Sequence, residues 1–194
     1  MKTLLRDLRV QAQNLGFQQV GVCSPSASEH MGLYREWVQN GHHGEMAYLA
    51  RQDSMDRRGD LRLTMERVES VVVLAQEYSQ PESPGIPEDR SRGVVSRYAR
   101  GQDYHGLVKS RLQDLLGWIN GEAQDRGLAE EVRGFPYVDT GPILERDLGR
   151  RVGLGWFGKN TMLINPRGGS YFFLGLLLLD LPLPSDEPFR PSHC

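Results

Sequence analysis

The densest group of side chains able to do chemistry lies between Val138 and Ser170. Asp139 follows the apolar pair Tyr137-Val138, where a strand-like run ends, and Arg146 comes two helical turns later. A carboxylate leaving an apolar strand beside Pro142 would be partly desolvated, which raises its pKa and lets it deliver a proton near neutral pH. Aspartate is also common near helix starts. With Pro142 at the first helical position, Gly141 would be the cap and Asp139 and Thr140 would lie just upstream. Both readings stay open. Arg146 would face the same cavity and grip phosphate or carboxylate bidentately, or it would pair with Glu145 or Asp147. A second polar group, Asp103-Tyr104-His105, sits where a strand-like run meets a helical pattern. Asp103 would cap that helix, and the triplet would equally offer hydrogen bonds and a titratable imidazole to a substrate.

Between these groups lies Gly153-Leu154-Gly155-Trp156-Phe157-Gly158-Lys159-Asn160-Thr161. It fits G-x-G-x-x-G and nearly fits G-x-x-x-x-G-K-[ST]. Both motifs need a strand entering and a helix leaving, so that backbone N–H groups point at phosphate. Here a helix enters and an apolar strand, Met162 to Ile164, leaves. Asn160 also stands where the magnesium-binding hydroxyl belongs. A nucleotide site is therefore not expected. The loop is either a turn needing positive φ that buries Trp156 and Phe157, or a backbone wall approached by a large flat ligand. The rest of the chain favours the wall. The five histidines (30, 42, 43, 105 and 193) fit no zinc spacing. No Ser-His-Asp arrangement or carboxylate pair stands out.

The elements that must position these residues follow from periodicity. Leu4, Leu5, Leu8, Ala12 and Leu15 mark a first helix, and Phe17 to Cys23 a strand. Helices are expected over Glu29 to Asn40 and, briefly, Met46 to Ala50. Asp56 to Asp60 reads as a turn, with Arg58 on the surface or reaching inward to an anion. Val71 to Ala75 is an apolar run of strand length, Pro81 to Arg92 a long polar loop, and Val94 to Ala99 a strand. Leu107, Val108, Arg111, Leu112, Leu115, Leu116 and Ile119 outline a long amphipathic helix. Phe135 to Val138 delivers Asp139. Pro142, Ile143, Leu144, Leu148 and Val152 suit a helix that Gly153 stops. Gly168-Gly169 reads as a hairpin turn before the strand Ser170 to Leu179. The irregular alternation favours an α+β fold with a mainly antiparallel sheet.

The 194 residues suit one domain, with a C-terminal extension begun. The overall charge of −2 does not suggest nucleic acid. The segment from Arg90 to Arg111 is different: it carries a net +5 and would face phosphates, unless it is a solvated surface. Cys23 and Cys194 make no disulfide framework, which suits a reducing cytosolic compartment. Arg6 and Arg9 interrupt any signal-peptide core. Tyr171 to Leu179 is far shorter than the ~20 residues that cross a bilayer as a helix.

Taken in order, Gly41-His42-His43-Gly44-Glu45-Met46-Ala47-Tyr48-Leu49, Ser96 to His105, Val138 to Arg146, Gly153 to Thr161, and Gly169 to Gly175 followed by Leu181-Pro182-Leu183-Pro184 resemble the epoxyqueuosine reductase family. The resemblance spans the chain. It implies a cytoplasmic, cobalamin-dependent oxidoreductase of queuosine biosynthesis that removes the epoxide oxygen of epoxyqueuosine in the tRNA anticodon stem–loop. It implies electrons from two [4Fe–4S] clusters in a ferredoxin-like domain; their donor is unspecified. By matching position, Asp139 would be the proton donor. Asp103, Tyr104, His105 and Arg146 would bind substrate. Arg58, Ser96, Asp139, Leu163 and Leu174 would contact cobalamin, although the Arg58 turn departs from the family's usual R-x-x-P. Residues 1–185 would form the cobalamin- and substrate-binding domain, and 186–194 would begin the iron–sulfur domain. Cys194 would be its first cluster ligand; each cluster needs four thiolates, so the remainder is expected beyond this chain. A monomer away from membranes is expected. The alternatives are a reductive dehalogenase-like enzyme, which would normally carry an export signal, and a cobalamin-binding module without catalysis.

Overall fold

The two most apolar segments pair at the centre of the molecule. In the computed structural model, which describes residues 1–79 and 91–190, β2 (Ser70–Glu77) runs antiparallel to β6 (Phe172–Leu179). Ser70 stands opposite Leu179 and Glu77 opposite Phe172. β1 (Gln19–Cys23) adds to the free side of β2, and β3 (Gly134–Tyr137) to that of β6. The sheet order is β1-β2-β6-β3 and every pairing is antiparallel. This is the α+β architecture expected from the sequence.

Side chains alternate across a strand, so β2 and β6 feed two cores. Val72, Leu74, Leu177 and Leu179 face α1 (Lys2–Asn14) and α4 (Tyr104–Asp125), meeting Leu4, Leu8, Leu112, Leu115 and Ile119. Val71, Val73, Leu176 and Leu178 face the other way, toward Leu148 and Val152 of the α5 region (helix Glu145–Arg151) and Leu163. Each such side chain contributes about 1.5–3 kcal/mol on burial. Gly175 lets α4 close onto β6: a Cβ there would meet Val108 at 2.9 Å.

Asp103 caps α4, its Oδ1 accepting the His105 N–H at 2.9 Å. α2 (Met31–Gln39) and a 3-10 turn at Ala47–Leu49 fall where expected. Residues 181–190 carry no regular structure and pack along β1 and α5. Asp186 N–H donates to Val22 O, and Phe189 N–H to Arg150 O. No described helix is long and apolar enough to cross a membrane.

Four expectations fail for physical reasons. Asp56 to Asp60 is not a turn but mostly the end of α3 (Gln52–Gly59), a helix with no buried residue and hence no apolar stripe to read. Val94 to Ala99 is not a strand: Val94 and Val95 are exposed and lead into a 3-10 turn at Arg97–Ala99. α5 begins at Glu145, so Pro142 precedes it by more than a cap. Gly168-Gly169 does not join two strands of one sheet. β5 (Leu163–Ile164) pairs instead with β4 (Trp156–Phe157), and the glycine turn closes locally between Asn165 and Gly169. Most of the Pro81 to Arg92 loop, and Cys194, lie outside the described residues.

Candidate active site

Asp139 stands one residue beyond buried Val138, where β3 has run out of partners. Its φ is +50°, uncommon for a residue with a side chain, although aspartate tolerates it better than most. The corner is tight: Thr140 N–H donates back to Val138 O at 2.6 Å. That geometry throws the Asp139 carboxyl outward against the start of α4. There Tyr104 Oη donates to Asp139 Oδ2 at 2.7 Å, and His105 Nε2 lies 3.9 Å from the same oxygen. His105 Nδ1 is 2.6 Å from Asp103 Oδ1. Asp139, Tyr104, His105 and Asp103 thus form one connected polar group, assembled because the N-terminus of α4 abuts the end of β3.

The group is held by stacking. The Tyr104 ring lies on Phe173 at 3.8 Å and 6° between planes, and on His105 at 4.1 Å. Phe173 contacts Tyr78, and Tyr78 contacts Tyr171, over which Arg97 is placed at 5.0 Å. An aromatic row therefore runs from the polar group along the start of β6. Burial, and then the bond to Asp139, push the Tyr104 hydroxyl well above its ordinary range, so it remains a donor. The His105 amide, and then its ring, hold Asp103 below the usual carboxylate range.

The desolvation expected at Asp139 falls elsewhere. Asp139's side chain is 58% exposed. Glu145, the first residue of α5, takes the burial instead: it is pushed up to about 7 by desolvation, opposed by the hydrogen bond from the Asp139 N–H, with the Asp139 charge raising it and Arg146 lowering it to smaller extents. Glu145 Oε1 accepts the Asp139 N–H at 2.8 Å. The sequence offered Glu145 only as a partner for Arg146; an acid in the first turn of a short helix looks like a surface residue. Arg146 is exposed and donates to Thr161 O, pinning the glycine-rich turn to α5. It makes no described contact with Asp139.

The remaining candidates fall into two groups. Leu163 and Leu174 converge on Gly149 of α5, where an added Cβ would strike Leu163 at 2.5 Å and meet Leu174 at 3.9 Å. Leu174 is half-buried next to Phe173 in the chain, whereas Leu163 is buried and paired with Phe157 in the β4–β5 hairpin. Ser96 is exposed immediately before Arg97. Arg58 stands apart from the Asp139 group. It donates to Ser54 O at 3.2 Å, lies over the Tyr34 ring, and lines a narrow cleft with Ser28, Ile143, Leu144 and Asp147.

The glycine-rich turn needs its glycines for itself. A Cβ at Gly155 or Gly158 would collide with Ile164, and Gly153 has φ +84° where α5 ends. The ligand-wall explanation of these glycines is thus replaced by hairpin packing, although Trp156 and Phe157 are only partly covered. A cavity of about 430 Å³ lies away from Asp139, between Arg9, Gln13, Gln19, Gly153 and Asp186. The Asp139 group sits on an open face. Exposed Tyr171 ends the aromatic row that starts at Tyr104, and with half-buried Leu174 it offers apolar surface to a broad ring. Among the described residues no cluster of three or more His, Cys, Asp or Glu could hold a metal ion.

Residues 58–140 match the family model described as epoxyqueuosine reductase QueG, DUF1730. The epoxyqueuosine reductase of Pseudomonas aeruginosa is 38% identical over 98% of this chain and 51% of its own length. That of Vibrio cholerae is 39% identical over 95% and 48%. The chain thus spans about half the length of the curated relatives it matches. A crystal structure of epoxyqueuosine reductase with an epoxyqueuosine-modified tRNA-Tyr stem loop superposes with a TM-score of 0.83, at 23% identity, over 100% of this chain and 50% of that one. A reductive dehalogenase described as B12-dependent shares the fold more distantly, with a TM-score of 0.56 at 17% identity over 97% of this chain and 21% of that one.

Proposed function

The chain belongs to the epoxyqueuosine reductase family, and on that premise we propose that it is the cobalamin- and substrate-binding part of an enzyme that reduces epoxyqueuosine in tRNA to queuosine. Converting an epoxide to an alkene breaks two C–O bonds, forms a C=C bond, consumes two electrons and two protons, and releases water. Cobalamin, when bound, would supply the low-potential electron chemistry. The iron–sulfur clusters that would feed it have their expected first ligand, Cys194, outside the described residues.

This chain's own residues do the rest. Asp139 passes a proton to the departing epoxide oxygen. Tyr104 orients the carboxyl through its 2.7 Å bond to Oδ2. Asp103 fixes the His105 imidazole, which lies within reach of both Asp139 and a polar substrate group. Arg146, beside the site on α5, recognises substrate from the edge of the glycine-rich turn. Leu163 and Leu174 support the corrin, with Ser96 and Arg58 at its margins. The basic segment holding Arg97 and Arg100 meets the phosphates of an anticodon stem–loop, in the cytoplasm where tRNA is modified.

The Tyr104–Asp139 bond on an open, apolar-flanked face is the observation that carries this reading. Asp139→Asn in the full-length enzyme tests it. Loss of one oxygen from an epoxyqueuosine stem–loop, followed by mass spectrometry under chemical reduction, should slow by about 10²–10⁴-fold with cobalamin still bound. Unchanged deoxygenation would overturn it.

A further inference from the structure

Asp139 is held at two points. Tyr104 holds its carboxyl, and Glu145 holds its backbone N–H at 2.8 Å. The second contact is unusual in kind. A main-chain donor in a positive-φ corner has no strand or helix partner, and a side chain six residues on satisfies it across Pro142. Turning the corner to any other φ would swing this N–H away from the carboxylate and strip Oδ2 of its tyrosine.

We infer that Glu145 is a positioning residue for the proton donor, its carboxyl clamping the Asp139 corner so that the Asp139 side chain stays against Tyr104. This inference rests on the proposed role of Asp139. The groups facing Glu145 are Asp139 on the corner, Tyr104 from α4, Tyr137 from β3 and Arg146 on α5. The Asp139 N–H bond and the Arg146 charge favour the Glu145 carboxylate, whereas burial and the Asp139 charge disfavour it. A carboxylate accepts an N–H more strongly than a neutral carboxyl does. Because burial brings Glu145 to about 7, the clamp tightens as pH rises through neutrality.

Two measurements test this. In cofactor-free protein, the Asp139 amide proton, followed by NMR against pH, should move downfield with a midpoint near 7. Glu145→Gln keeps an acceptor but cannot ionise, so it should retain a hydrogen-bonded amide with a flat profile. Glu145→Ala should shift the amide upfield at every pH. In the full-length enzyme, Glu145→Ala should lower kcat about 10- to 100-fold with the stem–loop KM little changed, and Glu145→Gln should restore most of it. An Asp139 amide that ignores pH and Glu145→Ala would overturn the clamp whatever the enzyme does. Full activity in Glu145→Ala beside an inactive Asp139→Asn would also overturn it. Full activity in Asp139→Asn would instead remove the catalytic reading while leaving the NMR result to judge the clamp.

Discussion

The two faces of the central sheet are built from alternate residues of the same strands, yet they differ in kind. The face under α1 and α4 is closed by two regular helices and filled by Leu4, Leu8, Leu112, Leu115, Leu177 and Leu179. The other face is covered by the short helix α5, the β4–β5 hairpin and irregular chain. Here Thr64 Oγ1, Asp147 Oδ2 and Arg150 Nε have no hydrogen-bond partner among the described residues, against Gln76 Oε1 on the α1–α4 side. Asp147 is 4% exposed and its other oxygen meets His30 Nδ1 at 2.6 Å. The candidate site straddles the two: Tyr104 and Phe173 pack against the α1–α4 core, while Glu145 starts α5 on the other side.

Substitutions on each side of the sheet show how far the two cores act independently. Leu112→Ala, on the α4 side, should cost about 2–5 kcal/mol in denaturant unfolding and leave the Asp139 amide resonance of the folded protein in place. A perturbed Asp139 corner would show that the faces are not separable. Glu145→Gln comes next. The folded carboxyl sits near 7, above its ordinary 4.5, so the neutral form is favoured in the folded state. It contributes stability that is complete below about 4.5 and is lost as pH rises through about 7. Between pH 5 and 8 the parent should therefore lose about 2 kcal/mol relative to Glu145→Gln, allowing for partial exposure. Parallel stability curves would contradict the desolvation of Glu145. Tyr104→Phe should be the mildest. Losing one donor to Asp139 is worth about 1 kcal/mol, or about fivefold in kcat, with unfolding little changed.

How much of this was legible in the sequence also divides by face. The α4 helix, its Asp103 cap and the strands β2 and β6 follow from apolar periodicity, because burial against a large regular surface leaves a strong pattern. The other face leaves weaker signals. α3 buries nothing, so its helix showed only as a charged stretch. Val94 and Val95 look like a strand but pair with none, because β-branched residues mark extended chain whether or not it joins a sheet. Asp139 stands out as a candidate because a carboxylate after an apolar strand is conspicuous. Glu145 does not, since its burial depends on a corner six residues earlier folding back over it. The glycines of the 153–158 turn were visible, but their reason, close approach to Ile164, is a tertiary fact.

On the function proposed above, cobalamin would lie on the face that carries Asp139. Absorbance titration of this chain with cobalamin, in the parent and two surface variants, tests it most directly. Tyr171→Arg places a charge at the end of the aromatic row that starts at Tyr104, and Val10→Arg places one on the exposed side of α1. A saturable spectral change is expected in the parent and in Val10→Arg, and a weakened one in Tyr171→Arg. No change in the parent, or equal binding by all three, would contradict it.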